Sequence, residues 1–100
     1  MEQAPQVAVI GGGSWGTALI KVLSENLPQI YWYMRDYKNL RHIAEYHHNP
    51  SYLSSVVLDT AKIHLTNDLN EATEKAQVLF FAIPSVYLKL ALEGVHNNLR

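Results

Sequence analysis

Apolar positions along the chain follow two alternating rhythms. Val7-Ala8-Val9-Ile10, Ile30-Tyr31-Trp32-Tyr33-Met34 and Val78-Leu79-Phe80-Phe81-Ala82-Ile83 are continuous apolar runs. Runs of that length and kind predict strands covered on both faces. The last is the most hydrophobic and is expected to be central. Between the first two runs, Trp15, Ala18, Leu19, Val22 and Leu23 recur at i, i+3, i+4, i+7 and i+8, the spacing of one helical face. Asn26-Leu27-Pro28 supplies the stop, with Asn tolerating a left-handed cap and proline unable to continue the helix. A second helix is expected from Tyr37 to about Tyr46, with a narrow face of Leu40, Ile43 and Ala44, ended by His47-His48-Asn49-Pro50.

Residues 51–62 lack either rhythm. Tyr52, Leu53, Val56, Val57 and Leu58 are their apolar anchors, and a loop over the sheet edge is the natural reading, leading to a strand near Ile63-His64-Leu65. Asp68 with Glu71 has the spacing of a capping box opening a helix through about Lys75. After the last strand, Pro84 stops the ladder and Ser85 can cap a further helix running to about Val95. Strands and helices therefore alternate throughout. This predicts an α/β, Rossmann-type doubly wound parallel sheet of strand order 3-2-1-4, with a ligand crevice between the first and fourth strands.

Between the first strand and first helix lies Gly11-Gly12-Gly13-Ser14-Trp15-Gly16. Gly11, Gly13 and Gly16 match the G-x-G-x-x-G spacing of a dinucleotide-binding turn, and the flanking strand and helix supply the context that the motif requires. Gly11 permits the tight reversal, Gly13 leaves room for a pyrophosphate, and Gly16 lets helix and strand approach. The amides and dipole of the helix start then hold the phosphates. In such folds an acid about 20 residues beyond the glycines binds the ribose hydroxyls, whereas an arginine accommodates a 2′-phosphate. Here Arg35 and Asp36 close the second strand. Arg35 favours NADP, NAD remains open, and Asp36 either accepts from the ribose or starts the next helix. Pro84-Ser85 approaches the same crevice from the fourth strand.

Composition removes other classes. The 100 residues carry a formal net charge of −1 with 48% hydrophobic residues, which suits one small domain. Scattered lysines and arginines give no field for nucleic acid. With no cysteine, disulfides and thiolate metal sites are excluded. His47 and His48 point apart at a helix end with no carboxylate beside them, so they are read as solvated and no metal site is assigned. His42, His64 and His96 have no partner pattern. The polar amino terminus lacks signal-peptide regions, and no apolar run spans a bilayer; the expected location is cytoplasmic.

The residues resemble the amino-terminal part of bacterial glycerol-3-phosphate dehydrogenase. Val9-Ile10-Gly11-Gly12-Gly13-Ser14-Trp15-Gly16-Thr17-Ala18 is similar to that family's signature, as are Trp32 with Arg35, Asn49-Pro50-Ser51-Tyr52-Leu53, Lys62-Ile63 with Thr66-Asn67-Asp68-Leu69, and Ala82-Ile83-Pro84-Ser85. The resemblance implies hydride transfer between sn-glycerol 3-phosphate and dihydroxyacetone phosphate with NAD(P), in glycerophospholipid synthesis. It also implies cofactor contacts at Ser14, Trp15 and Arg35, with Asp36 a weaker candidate. Trp15 also has the alternative role of a buried wedge between helix and sheet. The family's chains are about three times this length, in line with a nucleotide-binding domain and a helical substrate domain. Residues 1–100 are thus expected to be a partial cofactor-binding domain without that second domain. The family's catalytic lysines do not match Lys62, Lys75 or Lys89, and no catalytic residue is assigned. A homodimer is the expected full-length form. The alternatives are a related hydroxy-acid dehydrogenase, or a nucleotide-sensing module with the same fold and no catalysis.

Overall fold

The computed structural model describes residues 5–83. Strands β1 (Val7–Ile10), β2 (Ile30–Tyr33), β3 (Ile63–Thr66) and β4 (Val78–Phe81) alternate with helices α1 (Ser14–Asn26), α2 (Tyr37–Tyr46) and α3 (Leu69–Lys75). All strand pairs are parallel and the sheet order is β3-β2-β1-β4, as the alternation of elements predicts. The reversal falls at β1, which carries β2 on one side and β4 on the other. In this topology the connections leave opposite faces on either side of β1, opening a crevice at the strands' carboxyl ends.

The apolar runs are explained by a core on each face. Val7 and Val9 join Ile20, Ile30, Trp32, Met34, Ile43, Leu58 and Ile63 on one side. Ala8 and Ile10 join Ala72 on the other, with Tyr31, Tyr33, Leu69 and Phe81 packed against them. Every residue of β1 is buried. Side chains alternate across a strand, so a run covered on both faces cannot afford a polar position. β4 departs from the expectation of a central strand. Among the described residues it ends the sheet, and Val78 and Phe80 are 40% and 37% exposed. Apolar composition measures how much a strand can bury, not its rank in the sheet.

Helix α1 is rotated from the face its spacing predicts. Gly16, Thr17, Ile20 and Ser24 are buried, while Trp15 is 78% and Val22 60% exposed. The buried hydroxyls explain the difference. Thr17 Oγ1 donates to the Gly13 carbonyl and Ser24 Oγ to that of Lys21, and a polar group so satisfied can enter a core at little cost. Trp15 is therefore no buried wedge. The end of α1 is also not left-handed: Leu27 closes it in an extended conformation, fitting the restriction that Pro28 places on the residue before it. A left-handed cap appears instead at His47 after α2, at φ 66°.

Further along, residues 47–62 form an irregular connection that contains the loop expected over 51–62. Only part of it is anchored: Leu58 is buried and Val56 packs on the core, whereas Tyr52, Leu53 and Val57 are exposed. Lys21 Nζ donates to the Val57 carbonyl and Lys62 Nζ to that of Ser24, tying the loop to α1. Half of the capping box forms. Asp68 accepts from the amides of Asn70 and Glu71, but the Asp68 amide donates to Thr66 Oγ1. The Glu71 carboxylate turns to His64 and accepts from Thr66 Oγ1. His64 thus has a partner that helix spacing alone does not reveal. His42 has one as well, since its Nε2 lies 3.3 Å from that of the half-buried His48. Pro84, Ser85, His96 and the helix expected after the last strand lie outside the described residues.

Candidate nucleotide-binding site

A cleft of about 840 Å³ opens at the carboxyl ends of β1, β2 and β4, lined by residues 11–15, 33–36, 82 and 83, and by Asn39, Ser51, Tyr52 and Leu69. Gly11, Gly13, Ser14, Trp15, Arg35 and Asp36 are all in its wall. Gly16 lies beneath it. The spacing and the topology thus bring the predicted residues to one place, apart from Pro84 and Ser85, which are not described.

Each glycine of the turn meets a different constraint. Gly11 has φ +132°, and a Cβ there would stand 2.3 Å from the Ala82 carbonyl oxygen. Its role goes beyond a tight reversal: it lets the end of β1 lie against the end of β4, where the Ala82 amide donates to the Ile10 carbonyl. A Cβ on Gly16 would stand 1.9 Å from the Gly11 carbonyl oxygen, so α1 packs directly on the turn. Gly13 is different. Among the described residues, nothing lies within 4 Å of where its Cβ would be, so on that side its bareness faces the cleft.

The carbonyls of this turn are all held from the protein side. Trp32 Nε1 donates to the Gly11 carbonyl at 2.7 Å, with the indole fully buried. Asn49 Nδ2 donates to that of Gly12 at 2.9 Å. The Gly13 carbonyl accepts from both the amide and the hydroxyl of Thr17. No peptide bond here is cis, and in a trans peptide the carbonyl and the following N–H point in opposite directions. Tying back these carbonyls therefore turns the N–H groups of Gly12, Gly13 and Ser14 away from their holders. Among the described residues, no hydrogen bond uses those donors. Helix α1 begins without a side-chain cap and without an acid in its first turn. The orphan donors and the positive end of the dipole are what an anion needs, and the helix supplies no anion of its own.

At the far end of the cleft, Asp36 caps α2: its Oδ1 accepts from the amides of Lys38 and Asn39. One oxygen makes both bonds, so the cap and a place in the cleft wall are compatible. Arg35 is exposed beside it. Asn39, Ser51 and Tyr52 continue the wall from Asp36, with Asn39 Nδ2 3.4 Å from Ser51 Oγ. The roles of Trp32, Asn49, Gly12 and Thr17 escape the spacing argument. The signals were present: a buried indole N–H requires an acceptor, and Asn before Pro-Ser favours a side-chain-closed turn. Neither signal names the distant carbonyl that completes it. No cluster of histidines or acids capable of holding a metal occurs among the described residues.

Known proteins match this chain in sequence and fold. The family described as NAD-dependent glycerol-3-phosphate dehydrogenase N-terminus matches residues 6–100. Relatives include the glycerol-3-phosphate dehydrogenase [NAD(P)+] of Ectopseudomonas mendocina, 39% identical over 99% of this chain and 29% of its own length. That of Latilactobacillus sakei is 39% identical over 89% of this chain and 26% of its own. The chain spans less than a third of the length of these relatives. Among solved structures, a glycerol-3-phosphate dehydrogenase of Saccharomyces cerevisiae superposes with a TM-score of 0.82 at 23% identity, over 98% of this chain and 32% of that one. This likeness establishes the shared fold.

Proposed function

Because the chain belongs to the family of the amino-terminal domain of NAD-dependent glycerol-3-phosphate dehydrogenase, we propose that it is the cofactor-binding part of an enzyme interconverting sn-glycerol 3-phosphate and dihydroxyacetone phosphate. The observation that carries the reading is the glycine turn, with its carbonyls held from behind, its Gly13 face open and its helix start uncapped. These residues fit an NAD(P) diphosphate. The amides of Gly12, Gly13 and Ser14 would hold it, Trp15 and Ser14 would flank it, and Pro84-Ser85 would approach from the fourth strand. Arg35 and Asp36 would meet the adenosine ribose. When bound, the nicotinamide supplies or accepts the hydride, and this chain's part is to fix its position. In the same reading the enzyme works in the cytoplasm on small phosphorylated polyols, as a homodimer in its full-length form, supplying glycerophospholipid synthesis. No helix among the described residues is long and apolar enough to cross a membrane.

Replacing Gly13 by Ala tests the turn. Gly13 has φ −80° and ψ −165°, which alanine adopts readily, and its Cβ would meet none of the described residues. The substitution is therefore expected to change stability by about 1 kcal/mol or less. NADH affinity, measured by calorimetric titration, is expected to fall steeply because the methyl occupies the diphosphate's place. Unchanged affinity in Gly13→Ala would remove the diphosphate from this turn. Arg35→Ala tests the other end. It is expected to weaken NADPH more than NADH, by about 1.5–3 kcal/mol for a lost charged hydrogen bond. Equal losses for the two nucleotides would take the 2′-phosphate away from Arg35.

A further inference from the structure

Asn49 is fully buried in the connection between α2 and β3, and its amide is saturated. Nδ2 donates to the Gly12 carbonyl at 2.9 Å and to Thr17 Oγ1 at 3.1 Å. Oδ1 accepts from the amides of Ser51 at 2.9 Å and Tyr52 at 3.3 Å. Two donors and one oxygen with two lone pairs are all that this side chain has. The partners also fix its orientation: a flipped amide would set oxygen against the Gly12 carbonyl and NH₂ against two N–H groups. Thr17 passes the interaction on. Its hydroxyl accepts from Asn49 and donates to the Gly13 carbonyl, so Asn49 holds Gly12 directly and Gly13 through one relay.

The two sides of this amide face different parts of the same cleft. Its donors reach the glycine turn and Thr17, while its oxygen shapes the loop that places Ser51 and Tyr52 in the cleft wall, where Ser51 Oγ lies 3.4 Å from Nδ2 of Asn39, the residue bonded to Asp36. We propose that Asn49 is a positioning residue for dinucleotide binding. By its donors it aims the Gly13 and Ser14 amides at the diphosphate, and by its oxygen it independently sets the wall at the adenosine end. The proposal rests on the nucleotide-binding reading above and assigns one residue to each half of the ligand through separate atoms.

Aspartate separates the two halves, since it keeps the acceptor and removes the donors. In Asn49→Asp a carboxylate oxygen faces the Gly12 carbonyl, and the Thr17 hydroxyl is drawn from Gly13 to the charge. The loop turn at Ser51 and Tyr52 persists. In the full-length protein, with folding checked by circular dichroism, ADP-ribose affinity is expected to fall about tenfold or more, as buried acceptors lose their donors. Adenosine 2′-monophosphate, which lacks the diphosphate, is expected to bind within about twofold of wild type, as for a site not coupled to the change. Asn49→Ala, which loses both sets of bonds, is expected to weaken both probes. Unchanged ADP-ribose affinity in Asn49→Asp overturns the proposal, as does an equal loss of both probes. If Asn49→Asp does not fold, Thr17→Val removes the hydroxyl relay to Gly13, and with it one acceptor of the Asn49 amide, while the Asn49 bonds to Ser51 and Tyr52 stay in place; it is expected to weaken ADP-ribose selectively, and wild-type affinity there also overturns the proposal. Failure of the wild-type protein to bind ADP-ribose would instead refute the nucleotide-binding reading itself.

Discussion

Gly16→Ala is expected to destabilise the protein by at least about 3 kcal/mol, near the upper end for inserting a methyl group into a packed site. The added Cβ would stand 1.9 Å from the Gly11 carbonyl oxygen and 2.8 Å from its carbon, and both are backbone atoms that no rotamer change can move aside. The turn cannot give easily either. The same carbonyl oxygen is held by the buried Trp32 indole, and the Gly11 amide is bonded to the Tyr33 carbonyl. Relief must come from sliding α1 off the sheet, which uncovers Ile20 and the core on that face. A domain of this size has about 5–15 kcal/mol of stability in all, so a fall in Tm of more than about 10 °C is expected. Gly13→Ala, three residues earlier in the same motif, should melt close to wild type. The pair distinguishes a glycine needed for the fold from one needed for the ligand. Equal melting temperatures for Gly16→Ala and wild type would show that α1 does not press on the turn as described.

That contrast marks the limit of what the sequence discloses. The alternation of apolar runs and helical spacing is enough for the strand order, because parallel strands joined by helices leave few arrangements. The G-x-G-x-x-G spacing likewise locates the turn, since its flanks read as strand and helix. What spacing cannot give is phase and partnership. Helix α1 turned out to bury Thr17 and Ser24 in place of Trp15 and Val22. A hydroxyl bonded to its own helix counts as apolar for packing, and a hydropathy pattern does not know this. Asn49 reads as the end of a helix, yet its four partners lie in the glycine turn, the start of α1 and its own loop. Glu71 reads as half of a capping box, yet Thr66 makes the reciprocal bond to Asp68. In each case the missing information is a contact between residues distant in sequence or a choice between two local hydrogen bonds of similar worth.

Trp32 shows such a contact at its most consequential. Trp32→Ala is expected to cost about 3–5 kcal/mol, the usual range for emptying a buried aromatic site. The indole is fully buried among Val9, Ile20 and Met34, so a cavity would open between α1 and the sheet. The Gly11 carbonyl would also lose its donor within that apolar layer. Trp32→Phe separates these contributions. It keeps most of the ring's volume and removes the N–H, leaving the carbonyl unpaired at a cost of about 1–3 kcal/mol. The carbonyl sets the plane of the peptide linking Gly11 and Gly12, and hence the direction of the Gly12 amide. If that amide serves the diphosphate, Trp32→Phe should lose NADH affinity beyond what its modest change in melting predicts, at temperatures where both proteins are fully folded. Titration of NADH into the two proteins, alongside thermal denaturation, reads both quantities. An unaltered affinity in Trp32→Phe would mean that the turn keeps its shape without the indole, and that the glycines and the helix above them suffice to aim its amides.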